Sequence, residues 1–208
     1  MSNNITVLPL FATLLGVIKL NVNNKKILEF LKNLNYKENT FINETKRTSF
    51  MSKDNKIFKD KNLLELKNKS IDAINLYLKN VLYLNTKFKI INSWATKTFQ
   101  KGSSHTHNHA HSFLSCCYYP KYSKSFNIKF FKSKSIDTFW NLKPEKFDIN
   151  NSNFWEINPE ENDLLIFPSY LEHSISFNNS EETRYSIAFC VNPIGKFNIG
   201  EDSELDIK

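Results

Sequence analysis

The sequence predicts a mostly β fold with N-terminal helices, in which a double-sheet jelly-roll core is buttressed by the helical segments. Before residue 87, apolar residues recur at threes and fours, which is helical spacing. After it, short runs punctuated by Pro, Asn and Ser indicate about seven strands. Helices followed by many short strands are typical of a buttressed jelly roll. The expected strands are residues 88–94, 106–119, 126–131, 154–157, 163–167, 174–177 and 183–191.

Two helices are expected in the N-terminal part. Residues 25–34 place Ile27 and Leu31 on one side of a short helix. Residues 61–84 continue the helical spacing over a longer stretch, with Ser70 as an interruption or a cap. Both helices would bury one apolar face against the sheet.

The length of 208 residues fits one domain with a sizeable core. We divide this single domain into a strand and helix buttress over residues 1–86, a jelly-roll core over residues 87–193 and a tail over residues 194–208. The acidic end of the tail, residues 200–208, is expected to fray.

The apolar run at residues 5–20 is not a targeting signal or a membrane anchor. It lacks a basic start, contains Pro9, and is too short to span a bilayer. Two short strands joined near Pro9 or Gly16 explain it better. We therefore expect no membrane partner.

Charge and cysteine usage restrict the class of protein further. The net charge of +7 is spread along the chain, so it permits weak attraction to nucleic acid without requiring it. Three cysteines do not make a disulfide framework, which favours a reducing, cytoplasmic setting. Cys116 and Cys117 would point to opposite faces of a strand, and Cys190 is expected in the core.

All five histidines stand in two places: four alternate in one short stretch, and the fifth follows a buried-looking strand. Side chains two residues apart on a strand face the same way, so His107 and His109 would point toward one ion. His173 would complete a facial set of three ligands that leaves positions open for substrate and oxygen. Zn²⁺ would accept three histidines as readily as iron. For His105 and His111, an incidental metal-scavenging tract is the favoured interpretation.

Arg184 is one of only two arginines among 28 basic residues. It lies on an expected strand with Ser186 on the same face. A guanidinium holds a carboxylate with two parallel hydrogen bonds, which lysine cannot copy. Ser186 could add a hydroxyl donor to the same carboxylate. The alternative is a surface ion pair with Glu181 or Glu182.

The order of these motifs resembles that of the 2-oxoglutarate/Fe(II)-dependent oxygenases. Within them it looks closest to the phage and marine oxygenases related to the prolyl-4-hydroxylase-like group. The likeness covers residues 88–192 well and the N-terminal third only loosely, through the opening stretch 7–11. The matching stretches are residues 92–94, 107–119, 164–173 and 184–189.

The resemblance implies a double-stranded β-helix, the cupin-like form of the jelly roll, with an iron site and a cosubstrate site. Arg184, helped by Ser186, would hold the distal carboxylate of 2-oxoglutarate, and Tyr119 would be a further cosubstrate-binding residue. Trp94 would shape the pocket or the core. The implied iron ligands are His107, His109 and His173.

This chain departs from the family pattern at three positions. His109 stands where the usual motif has aspartate or glutamate, which leaves the metal one charge more positive. Cys116 stands where glycine is expected. Asn162 stands at a turn where many relatives have glycine, and asparagine tolerates the left-handed conformation that such a turn needs.

The expected function is therefore an Fe(II)- and 2-oxoglutarate-dependent dioxygenase, with ascorbate as a candidate reductant. It would hydroxylate an unidentified peptidyl, amino-acid or nucleobase substrate and release succinate and CO2. Its location would be cytoplasmic, in the host cytoplasm if the gene is carried by a phage. Two alternatives stay open: a cupin-type three-histidine metalloenzyme that does not use 2-oxoglutarate, and a non-catalytic jelly-roll binding module.

Overall fold

The computed structural model describes residues 6, 8, 10–38, 49–122, 126–132 and 143–208. Two α-helices and eleven strands lie within these residues. The helices are α1 (Asn24–Asn33) and α2 (Leu64–Asn80). The strands are β1 (Gly16–Lys19), β2 (Tyr36–Glu38), β3 (Ser49–Ser52), β4 (Lys87–Thr98), β5 (Leu114–Tyr118), β6 (Ile128–Phe131), β7 (Phe154–Ile157), β8 (Asp163–Pro168), β9 (His173–Ile175), β10 (Arg184–Phe197) and β11 (Leu205–Ile207).

The strands form two antiparallel sheets, and the jelly-roll prediction is confirmed. The larger sheet has the order β1-β8-β5-β10-β4-β3-β2, with β11 paired to β10. The smaller sheet has the order β7-β6-β9. From β5 to β10 the chain crosses repeatedly between the sheets: β5, β8 and β10 lie in the larger sheet, and β6, β7 and β9 lie in the smaller one. Residues distant in sequence therefore meet between the sheets.

Alternation along the strands separates two apolar clusters. One face of β8 carries Leu164 and Ile166, which pack with the buried sides of α1 and α2. The other face carries Leu165 and Phe167, which pack with residues of β6 between the two sheets. The helices therefore cover one face of the larger sheet, and its opposite face is left to build the site.

The same alternation confirms that the adjacent cysteines point to opposite faces. Cys116 packs in the cluster beneath the helices, whereas Cys117 packs against the cluster between the sheets. Cys190 is buried, as expected, and all three cysteines are free thiols. Ser115 and Cys117 of β5, like Arg184 of β10, therefore belong to the face that looks into the jelly roll.

Helix α2 is shorter than the expected 61–84. It begins at Leu64, after a short 3-10 segment (Lys61–Leu63) at whose start the Asp60 carboxylate accepts the backbone N–H of Asn62. Ser70 neither interrupts nor caps the helix: it lies inside α2 and is fully buried. A small side chain at this position allows the helix to lie close to the sheet. Neither of the described helices is long and apolar enough to cross a membrane.

Both chain ends differ from expectation. Only β1 is found between residues 10 and 20. Residues 1–5, 7 and 9 lie outside the described part, and two of them, Val7 and Pro9, belong to the stretch 7–11 that resembles the family. The C-terminal end is not frayed, because β11 pairs with the last residues of β10. Strand β10 is correspondingly longer than the expected 183–191.

Asn162 occupies the left-handed region with φ of 70°, which confirms the expected turn before β8. Its side-chain oxygen accepts hydrogen bonds from the backbone N–H of Val22 and the hydroxyl of Tyr118, at 3.2 and 2.9 Å. This residue thus joins the entry to α1 to the larger sheet.

Replacing Asn162 should separate the two roles of this residue. We expect Asn162→Gly to lower the free energy of unfolding by about 1–2 kcal/mol, because it loses both hydrogen bonds but keeps the backbone conformation. Asn162→Ala should cost about 1 kcal/mol more, since alanine also strains a positive φ. Urea unfolding measures both changes. A glycine variant less stable than the alanine variant would show that backbone conformation is not limiting here.

Candidate metal and cosubstrate site

Three histidines meet at one point inside the mouth of the jelly roll. One ligand nitrogen from each of His107, His109 and His173 lies within 4.8 Å of the other two. His107 and His109 belong to the loop between β4 and β5, and His173 begins β9. This is the set that the sequence resemblance implied as metal ligands, and among the described residues it forms the sole group of this kind.

The alternating sequence predicted that a strand would bring the two histidines of the loop together. The structure describes this whole loop and has no strand there. Strand β5 begins only at Leu114, and His111 has a left-handed backbone with φ of 62°, which interrupts any extended run. His107 alone finds a strand-like partner: it exchanges two backbone hydrogen bonds with His173, of 3.0 and 2.9 Å. His109 donates its backbone N–H to the carbonyl of Ser169 at 3.0 Å. The loop is therefore shaped by the turn between β8 and β9.

Asn192 of β10 fixes the end of this loop. Its side-chain N–H group donates to the carbonyl of His111 at 3.0 Å, and its oxygen accepts from the N–H of Phe113 at 2.8 Å. His111 itself is exposed. The carbonyl of His105 lies 2.9 Å from Nδ1 of His107, and the rings of these two residues are 5.1 Å apart. Neither belongs to the group of three.

The imidazole rings are held by their Nδ1 atoms. Nδ1 of His107 lies 2.9 Å from the carbonyl of His105, and Nδ1 of His173 lies 3.0 Å from that of Leu171. A carbonyl can only accept, so each ring carries its proton on Nδ1 and keeps the Nε2 lone pair for a metal. His109 differs, because its Nδ1 lies 2.7 Å from the hydroxyl of Ser115.

Burial keeps the three rings neutral. Desolvation, with the neighbouring imidazoles, lowers the pKa of His173 to about 3 and that of His109 to about 4. The pKa of His107 is lowered in the same way. Neutral imidazole is the form that binds a metal, so the ligand set is ready at physiological pH.

Aromatic rings form a wall around the histidines. The rings of Phe167 and Phe130 lie 4.9 and 5.9 Å from that of His173. The ring of Trp94 lies edge-on to His109 at 5.4 Å, so Trp94 shapes the pocket rather than the core under the helices. Such a wall limits the access of water to the metal position.

Arg184 is buried deeper in the jelly roll, with 6% of its surface exposed. Its Nη2 donates to the hydroxyl of Thr98 at 3.0 Å, and its guanidinium carbon lies 4.4 Å from the ring centre of Phe126. Its Nη1 is buried and has no hydrogen-bond partner among the described residues. The alternative of a surface ion pair is wrong, because Glu182 pairs with Lys121 instead, at 2.8 Å.

Hydroxyl and thiol groups surround the guanidinium. The side chain of Cys117 interacts with the hydroxyls of Tyr119 and Ser186, and burial raises the pKa of Cys117 to about 11. Tyr119 is buried, and its pKa is raised well above the usual value by desolvation. Both cosubstrate candidates of the sequence, Ser186 and Tyr119, thus lie beside Arg184. One cation, two hydroxyls and a thiol therefore lie together in this part of the jelly roll.

Sequence reasoning missed three contributors to the site. Thr98 reaches Arg184 because the two residues are paired across β4 and β10. Phe126 arrives from outside the regular strands, and Ser115 reaches His109 from β5. In the sequence, Ser115 stands between the apolar Leu114 and Cys116. This alternation on an expected strand could have indicated that Ser115 faces the site.

The sequence of the jelly roll matches one protein family. Residues 92–190 match the model of the family described as "Putative 2OG-Fe(II) oxygenase". This segment contains all three histidines of the site and Arg184. The family match over residues 92–190 confirms the resemblance to the 2OG-Fe(II) oxygenases that the motifs predicted.

Solved structures of similar fold include proteins described as binding 2-oxoglutarate or as dependent on α-ketoglutarate. HygX from Streptomyces hygroscopicus, solved with nickel, 2-oxoglutarate and hygromycin B, is 11% identical; the alignment covers 87% of this chain and 83% of HygX, with a TM-score of 0.60. The α-ketoglutarate-dependent epimerase SnoN from nogalamycin biosynthesis is 9% identical, with 90% and 82% covered and a TM-score of 0.63.

A 2OG-Fe(II) oxygenase family protein from Burkholderia pseudomallei is 8% identical, with 81% of this chain and 77% of that protein covered and a TM-score of 0.55. At these identities the likeness concerns the fold, which is the double-stranded β-helix expected from the sequence. A comparison with curated proteins gave no match. The phage and marine subgroup stays a prediction.

Proposed function

We propose that the protein is an Fe(II)- and 2-oxoglutarate-dependent oxygenase, in which the three histidines hold the metal and Arg184 holds the distal carboxylate of the cosubstrate. The observation that carries this proposal is the buried Nη1 of Arg184, which lacks a partner among the described residues. A buried cation without an anion is costly, so the pocket suits a ligand that brings a carboxylate. Three histidines alone would fit zinc equally well.

The residues around Arg184 suit a carboxylate in shape as well as charge. The hydrogen bond to Thr98 and the face of Phe126 fix the plane of the guanidinium from two directions. The free edge can then form the paired hydrogen bonds that arginine makes with carboxylates. Ser186 and Tyr119 add hydroxyl donors beside that edge.

The metal ligands also suit a dianionic cosubstrate. Neutral histidines leave both positive charges of Fe(II) uncompensated, because His109 replaces the carboxylate of the usual motif. A 2-oxoglutarate dianion would neutralise them. When bound, Fe(II) and 2-oxoglutarate supply the oxidation of a prime substrate coupled to release of succinate and CO2.

The prime substrate remains a matter for experiment. Hydroxylation of a peptidyl, amino-acid or nucleobase substrate is the default proposal for this class. The structural neighbours are described with hygromycin B and with an epimerase reaction, so the shared fold accommodates different substrates and outcomes. The half-buried His107 marks the side from which a substrate would approach.

The first test measures 2-oxoglutarate binding and turnover separately. Calorimetry under anaerobic conditions should show binding to the Fe(II)-loaded wild type. Succinate should then form in air with ascorbate as the reductant, even without a prime substrate. We expect His107→Ala to lose metal and succinate, and Arg184→Met to keep the metal but lose 2-oxoglutarate binding. His111→Asn is the control, since asparagine tolerates the left-handed backbone and the side chain is exposed.

Three results would overturn the proposal. Full iron loading without 2-oxoglutarate binding would favour a cupin-type metalloenzyme. Binding and turnover that survive in Arg184→Met would remove the assigned role of the arginine. Absence of iron binding in the folded protein would favour a non-catalytic jelly-roll module.

A further inference from the structure

His109 is held differently from the other two histidines. His107 and His173 each have a backbone carbonyl at Nδ1, which fixes the ring proton there. His109 has a hydroxyl at that position, and a hydroxyl can donate or accept. The ligand that replaces a carboxylate is therefore the one whose ring nitrogen is not fixed by its partner alone.

The hydroxyl belongs to a buried pair of serines. Ser115 Oγ lies 2.7 Å from Nδ1 of His109 and 2.7 Å from the Oγ of Ser169. Ser115 and Ser169 are 0% and 1% exposed. The backbone carbonyl of Ser169 also accepts the N–H of His109 at 3.0 Å, so the same two serines hold both the ring and the main chain.

The pair allows one arrangement in which His109 can bind a metal through Nε2. The Nδ1–H group of His109 then donates to the hydroxyl of Ser115, and the hydroxyl of Ser115 donates to that of Ser169. The reverse arrangement would place a proton on Nε2 and block that lone pair.

We propose that Ser115, backed by Ser169, is a positioning residue that accepts the Nδ1–H of His109 and thereby presents Nε2 to the metal. The proposal rests on the metal site of the proposed function and not on its use of 2-oxoglutarate. Cys190 also faces the ring, but its sulfur lies 3.4 Å from Nδ1 and is a weak acceptor. Ser115 is therefore the principal partner.

Zinc binding tests the proposal without any turnover. In Zn²⁺-loaded protein with ¹⁵N-labelled histidine, long-range ¹H–¹⁵N spectra report which nitrogen of each ring carries the proton. The wild type should show all three ligands protonated at Nδ1. Ser115→Ala should weaken zinc binding by about 10- to 100-fold, as loss of such outer partners does. The Nδ1–H signal of His109 should then change, while those of His107 and His173 stay.

Two further variants separate positioning from general destabilisation. Ser115→Thr keeps the hydroxyl and should restore most of the affinity. Ser93 on β4 carries another buried hydroxyl, which accepts from the N–H of Phe58 at 3.0 Å. Ser93→Ala removes this hydroxyl and should leave zinc affinity unchanged. Coordination of wild-type His109 through Nδ1, or an affinity within about twofold in Ser115→Ala, would overturn the proposal. Failure to bind 2-oxoglutarate would overturn only the proposed function.

Discussion

Replacing Arg184 with methionine is expected to stabilise the ligand-free protein while abolishing its response to 2-oxoglutarate. The guanidinium is buried, makes one side-chain hydrogen bond to Thr98, and leaves Nη1 without a partner among the described residues. Apolar replacements of buried charges commonly raise stability, here by about 1–3 kcal/mol. Methionine also keeps a favourable contact with the ring of Phe126.

The opposite effect is expected on cosubstrate binding. Loss of the paired, charge-assisted hydrogen bonds should weaken 2-oxoglutarate by about 100-fold or more. Thermal melts with and without 2-oxoglutarate, on protein loaded with the same metal, measure both effects in one experiment. The wild type should gain stability with the ligand, and Arg184→Met should start higher and gain nothing.

Two matched variants check the physical reason. Arg184→Lys keeps the charge but not the planar fork, so it should bind 2-oxoglutarate poorly without the gain in stability. Thr98→Val removes the hydroxyl that accepts from Nη2 and should destabilise the ligand-free protein. A ligand-free Arg184→Met protein much less stable than the wild type would show that the arginine is structural.

Acidification should destabilise the metal-free protein through the same three histidines. The pKa values of His173 and His109 are about 3 and about 4 in the folded protein, against an ordinary value of 6.5. Between pH 7 and pH 5 these histidines therefore bind protons in the unfolded chain but stay neutral in the folded protein. Stability is present above pH 6.5 and falls as the pH drops, by about 2–4 kcal/mol in total at pH 5.

Denaturant unfolding at a series of pH values measures this dependence. His173→Gln removes one depressed group and should flatten the slope between pH 7 and pH 5. Bound Zn²⁺ should raise stability at pH 7 and lose its effect at lower pH, since protons compete with the metal. Parallel curves for wild type and His173→Gln would show that His173 is not held neutral by the fold.

The elements with a clear period were predictable from the sequence. The helical spacing located α1 to within one residue at each end, and the run 154–157 coincides with β7. The expectation that Cys116 and Cys117 point to opposite faces of a strand is also confirmed. These predictions succeeded because burial on one face imposes the period directly.

The loop of histidines shows where periodicity fails. The alternating histidines predicted a strand, yet only His107 forms a strand-like bridge, with His173, whereas the backbone N–H of His109 donates to Ser169. The sequence still predicted that His107, His109 and His173 would lie together, because the chain concentrates its histidines, and the structure brings these three together. Thr98 and Ser115 were missed, since their roles depend on strand register and on contacts through space, which one sequence does not reveal.

The main-chain bridge between His107 and His173 has a consequence for the order of events during biosynthesis. His173 begins β9, which lies late in the sequence, and its backbone forms two hydrogen bonds with that of His107. A nascent chain that ends before β9 contains His107 and His109 but lacks His173, and the backbone bridge to His173 is then absent. A metal ion that needs all three histidines can therefore bind only after β9 has paired with the loop of His107.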